Sequence, residues 1–130
     1  MLGLFKKKKE KVEDFLEPEV AEVEPIHVTD EDFEEKILKA DKPAVVDFWS
    51  EYCSPCHVMA YVMDDLAEAF DGEAVIAKLQ VDENPKTPEK YGIMGVPTII
   101  FFKDGIEVDR LVGVHMFNTM EEHLKVLLEG

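Results

Sequence analysis

The alternation of apolar and polar positions along the chain defines a succession of short elements from Ile26 onward. Thr29 precedes an acidic turn, Asp30-Glu31-Asp32, which suits a helix N-cap and the helix dipole. Val28 and Phe33 flank it as a hydrophobic staple, and Phe33 and Ile37 continue at helical spacing until Pro43 ends the unit. Ala44-Val45-Val46-Asp47-Phe48-Trp49 is a nearly unbroken apolar run, the mark of a strand covered on both faces. After Cys53 the period changes. Met59, Val62, Met63, Leu66 and Phe70 form one apolar stripe of a helix that Asp71-Gly72 closes, and the methionines read as core packing.

Residues 74–81 predict a second buried strand, and Asn84-Pro85 opens a short helical segment reaching Tyr91-Gly92. Thr98-Ile99-Ile100-Phe101-Phe102 predicts a third strand. Asp104-Gly105 predicts a tight hairpin turn, with residues 108–112 returning antiparallel. Asn118, with Glu121 three residues later, reads as the capping box of a last helix whose apolar face is Met120, Leu124, Leu127 and Leu128. The order is α-β-α-β-α-β-β-α, with a further short strand at residues 26–28. It implies an α/β fold with a central mixed sheet and helices on both faces.

A length of 130 residues fits one domain, near the usual ~150. No apolar run approaches the ~18 residues that a membrane-spanning helix needs. Residues 1–25 differ from the rest and are expected to be a charged, flexible extension, leaving 26–130 as the folded domain. The extension begins with Leu2, Leu4 and Phe5, followed by Lys6-Lys7-Lys8-Lys9. Its charges follow the apolar residues, the wrong order for a secretory signal. A weak membrane-surface contact through those apolar residues and lysines is the sharper reading, and the acids from Glu10 to Glu24 oppose it. The net charge is −15, from 14 basic and 29 acidic residues. That balance repels phosphate backbones and argues against a nucleic-acid partner.

Two cysteines, Cys53 and Cys56, are the whole complement. The loop they close is too small to stabilise a fold, so the pair calls for a chemical explanation. On a first helical turn their Cβ atoms lie ~5–6 Å apart, a small adjustment from the ~3.5–4.5 Å of a disulfide. A helix N-terminus offers free N–H groups and the positive end of the dipole, so the Cys53 thiolate is favoured there. Pro55 is tolerated in a first turn, where no intrahelical N–H bond is required. Cys56 lies deeper and is expected to be less exposed.

This arrangement supports two-step exchange, with Cys53 attacking a partner's disulfide and Cys56 resolving the mixed disulfide. A zinc half-site is a second reading. It lacks ligands in paired spacing among His27, His57, His115 and His123. A pair of inert buried thiols is a third.

Several ordered segments around these cysteines resemble the thioredoxin family. They are Val46-Asp47-Phe48-Trp49, Glu51 through Cys56, Ala77-Lys78-Leu79, Tyr91-Gly92-Ile93, Gly95-Val96-Pro97-Thr98, Lys103-Asp104-Gly105 and Val112-Gly113. The resemblance spans roughly 26–130. It implies a thioredoxin fold and a thiol–disulfide oxidoreductase that reduces protein disulfides with no metal or organic cofactor.

It also assigns roles. Asp47 takes the proton of Cys56, and Lys78 stands beside that acid. Pro97 is a cis-proline, and the Val96 backbone receives an extended substrate segment. Gly113 permits close backbone approach, and Trp49, Tyr52, Ser54 and Pro55 complete the rim. Its partners are disulfide-containing proteins and a reductase that recycles the disulfide. A cytoplasmic monomer is the expected form.

Four positions depart from the family's usual residues: Tyr52, Ser54, His57 and Tyr61. The Ser54 hydroxyl is expected to reach the Cys53 thiolate, and these departures bear on potential and partner choice. Two rival readings stay open at this level. One is an oxidant or isomerase, since direction follows relative potentials. The other is a non-enzymatic binding module or membrane-tethered adaptor.

Overall fold

A computed structural model describes residues 23–130. The surface-contact reading of the leading lysines falls on residues outside that range. Five strands form one sheet: β1 (Ile26–His27), β2 (Ala44–Trp49), β3 (Val75–Gln80), β4 (Thr98–Lys103) and β5 (Ile106–Val112). Their spatial order is β1-β3-β2-β4-β5. Strands β1, β3 and β2 run parallel, and β4 and β5 antiparallel to their neighbours, so the sheet is mixed. Three helices accompany it: α1 (Ser54–Ala69), α2 (Lys86–Lys90) and α3 (Phe117–Glu129).

Strand β2 lies at the centre because all but its last residue is buried, as its apolar run requires. Successive side chains point to opposite faces. Val45 joins a cluster with Met59, Met63, Leu66 and Ile99 under α1 and α3. Ala44, Val46 and Phe48 join a second cluster with Phe33, Ile37 and Phe102 on the other face. The predicted stripe of α1 is buried throughout, from Met59 to Phe70. Asp104 (φ 55°) and Gly105 (φ 78°) form the expected β4–β5 turn.

Two local expectations are corrected. The first helical unit is a single wide turn, Glu34–Leu38, in which the Lys39 N–H bonds the Glu34 carbonyl five residues back (2.9 Å). The Thr29–Asp32 cap is present: Asp32 Oδ1 accepts the Thr29 N–H at 2.7 Å, and the Asp32 N–H donates to Thr29 Oγ1 at 3.3 Å. Phe33 and Ile37 both lie in the second cluster. At the other end, α3 starts at Phe117 with Met116 in the cap position, and no side chain caps it. Asn118 is instead exposed inside the first turn. Phe117 packs on the core, and that contact sets the start ahead of the capping pattern.

Candidate active site

Strand β2 ends at Trp49, and residues Ser50–Tyr52 carry the chain to the start of α1. Cys53 is the N-cap residue, with extended backbone (φ −113°, ψ 107°), and Pro55 occupies the first turn behind it. Cys53 and Cys56 form a disulfide with a Cα–Cα separation of 5.2 Å. Cys53 Sγ accepts the Cys56 N–H at 3.2 Å, a donor of the helix start that is shared with the Cys53 carbonyl at 3.1 Å. Cys56 is 2% exposed, whereas Cys53 is half-buried. The expected asymmetry of an outer and an inner sulfur is therefore present. The donor to Cys53 Sγ in this oxidised state is the Cys56 N–H; Ser54, expected to reach that sulfur, is exposed, as is Pro55.

Asp47 lies two residues beyond Val45 on β2 and shares its face, beneath α1. It is 0% exposed, and neither carboxylate oxygen has a hydrogen-bond partner. Burial pushes its pKa up to about 7, and the positive charge of Lys78 opposes that rise. Lys78 is its register partner on β3. The Lys78 Nζ sits 5.0 Å from the centre of the Trp49 ring, a cation–π contact, rather than on the carboxylate. Trp49 is half-buried, and its indole N–H is among the buried groups without a partner.

The loop before β4 closes the other side. The Val96–Pro97 peptide bond is cis, and the Val96 carbonyl oxygen is 3.6 Å from Cys53 Sγ. Thr98 Oγ1 donates to the Gly95 carbonyl at 2.6 Å, and the Gly113 N–H donates to the Pro97 carbonyl at 2.8 Å. Gly113 has φ 88°, a conformation that favours glycine. The Val96–Pro97 segment thus approaches Cys53, and Gly113 is bonded to Pro97 behind it. Tyr52, next to Cys53 in the chain, is 87% exposed.

The sequence did not single out three neighbours. Met94 is 98% exposed two residues before Val96. Asp82, just past β3, accepts from Ser50 Oγ at 2.9 Å and from the Glu51 N–H at 3.2 Å. Asp82 and Ser50 look like ordinary loop residues in the sequence, because their contact spans 32 positions. Among the described residues, no group of three or more His, Cys, Asp or Glu side chains converges to hold a metal ion.

The profile of the family described as Thioredoxin matches residues 24–126. A thioredoxin of Rickettsia bellii is 42% identical over 96 residues, covering 74% of this chain and 91% of that protein. A thioredoxin of Pseudomonas aeruginosa is 49% identical over 80 residues, covering 62% of this chain and 74% of that protein. A thioredoxin of Staphylococcus epidermidis is 46% identical over 103 residues, covering 76% of this chain and 97% of that protein. A paired-sulfur helix start on this sheet, in a sequence so closely shared, places the chain in the thioredoxin family of thiol–disulfide oxidoreductases.

Proposed function

We propose that the protein reduces disulfides of other proteins in the cytoplasm, through the following roles for its site residues. The observation that carries the reading is an outer sulfur at a helix start, bonded by the N–H of an inner, buried cysteine. In the reduced protein the Cys53 thiolate attacks one sulfur of the substrate disulfide. A bond forms between Cys53 Sγ and that sulfur, and the other substrate sulfur leaves as a thiolate. The Cys56 thiol then gives its proton to the Asp47 carboxylate, directly or through water. The Cys56 thiolate attacks Cys53 Sγ, closes the Cys53–Cys56 disulfide and expels the second substrate thiolate. Two electrons pass to the substrate, whose thiolates take protons from water.

Lys78 keeps Asp47 ionisable near neutrality by offsetting part of the cost of its burial. An extended substrate segment lies along Val96 and Pro97, bonded to the Val96 backbone, with Gly113 leaving room beside it. Trp49, Tyr52, Ser54 and Pro55 form the rim that meets the substrate. A separate reductase returns the disulfide to dithiol. Residues 26–130 are the working domain, a monomer, and residues 1–25 an extension to it. No described helix is long and apolar enough to cross a membrane.

Cys56→Ser is expected to trap substrates on Cys53 as mixed disulfides, which mass spectrometry identifies. Cys53→Ser is expected to abolish reduction of a disulfide-bonded test protein, and retained activity would overturn the assignment. Titration of the Cys53–Cys56 couple against glutathione tests direction. A potential well above the cytosolic range of about −220 to −320 mV would make the protein an oxidant instead.

A further inference from the structure

The backbone of Glu51, two residues before the nucleophile, is held at both its N–H and its carbonyl by side chains of two other segments. Its N–H donates to Asp82 Oδ2 at 3.2 Å. Its carbonyl lies 2.9 Å from His57 Nε2, and a carbonyl only accepts, so Nε2 carries the proton and donates. Asp82 also takes both of its oxygens to Ser50 Oγ, at 3.0 and 2.9 Å. Ser50 Oγ in turn accepts the Tyr52 N–H at 3.4 Å, and the Ser50 carbonyl accepts the Cys53 N–H at 3.3 Å. A further bond, from the Val81 N–H to the Trp49 carbonyl at 2.9 Å, fixes the segment that carries Asp82 against the end of β2.

We infer that Asp82 and His57 are positioning residues that clamp the Ser50–Tyr52 loop, and through it hold Cys53 Sγ against the Cys56 N–H. Neither touches the sulfurs; both act through the backbone that carries Cys53. The chain leaves a strand and must enter a helix within Ser50–Cys53, and short loops of this kind are the least restrained part of a fold. Bonds to Ser50 and Glu51 depress the Asp82 pKa, so the carboxylate is ionised and accepts at neutral pH. His57 supplies the opposite contact from the first turn of α1, immediately after Cys56. The loop is therefore tied at once to the end of β3 and to the helix whose N-terminus stabilises the thiolate. The clamp depends on the serine, the aspartate and an N–H donor at position 57 together.

The inference rests on Cys53 being the nucleophile, and the test separates the two. In a Cys56→Ser background Cys53 is the only thiol, and its alkylation by iodoacetamide is followed from pH 5 to 9. With the clamp intact, its rate at pH 7 is expected to exceed that of an unstructured cysteine peptide. A rate no higher than the peptide's overturns the nucleophile assignment itself. His57→Ala and Asp82→Ala are each expected to slow alkylation about threefold at pH 7 and to move the rate profile to higher pH, the scale of one lost, partly solvated hydrogen bond. His57→Gln, whose amide N–H can occupy the place of Nε2, is expected to restore most of the rate.

Should His57→Ala and Asp82→Ala alkylate as fast as the parent, the clamp is wrong while the nucleophile stands. A Gln variant as slow as the Ala variant removes His57 from it. If Asp82→Ala does not fold, Ser50→Ala, which keeps the Glu51–Asp82 bond, is expected to show a smaller slowing of the same sign; an unchanged rate then overturns the Asp82 half. A loss of thermal stability without a change in the alkylation profile also overturns the proposal.

Discussion

Asp47 concentrates the conflict between stability and chemistry in one side chain. Its carboxyl titrates at about 7 in the folded protein against an ordinary 3.8, so between those values the folded state holds a proton that the unfolded chain has lost. Stability therefore falls as pH rises through this window and stays lowered above it. Asp47→Ala is expected to raise urea resistance at pH 8 by roughly 2–4 kcal/mol, with the advantage gone near pH 4. A difference that does not vary with pH would mean the cost of the buried charge is misassigned. The same substitution is expected to slow the release of a preformed Cys53 mixed disulfide, and to remove the rise of that release rate through pH 7, read by quenched-flow trapping. This residue was legible in the sequence, because an acid in the middle of an apolar run is conspicuous. So was the cysteine pair, since its spacing and its place after a strand carry the chemistry. Asp82 was not, because nothing local to residues 80–84 reveals that a serine 32 positions away will bond to it.

The elements were legible where one period dominates. Strand β2 and helix α1 follow their patterns closely, since burial of a continuous face outweighs any local preference. The ends of elements were less so. Asn118 and Glu121 make a good capping pattern, yet Phe117 reaches the core and starts α3 before it. The widened turn at Glu34–Leu38 was likewise invisible, because Phe33 and Ile37 keep the spacing of an ordinary helix. The β4–β5 hairpin shows how tightly that turn is seated. A Cβ on Gly105 would lie 3.0 Å from the Leu38 carbonyl oxygen, and the residue has φ 78°. Gly105→Ala is expected to cost about 1–2 kcal/mol in denaturant unfolding and to leave Cys53 alkylation unchanged. Met63→Ala, on the fully buried face of α1, is expected to cost about 2–5 kcal/mol.

Across the whole molecule the acidic excess acts at a distance. With a net charge of −15, self-repulsion opposes the compact state and is screened by salt. The melting temperature is expected to rise between low ionic strength and ~0.15 M salt. A disulfide-linked substrate flanked by lysines is expected to be reduced faster than one flanked by glutamates, with the gap narrowing as salt is added. Equal rates at low salt would show that the field does not steer substrates.

The described chain enters at one end of this architecture and does its chemistry at the other. Val23 and Glu24 share a cleft with Asp64, Asp65 and Glu68 in the later half of α1, whereas the sulfurs sit where that helix begins. Sixteen residues of helix span about 24 Å. A bead, an electrode or a second protein joined at Val23 would thus grip the rear of the domain and leave its reactive tip pointing outward.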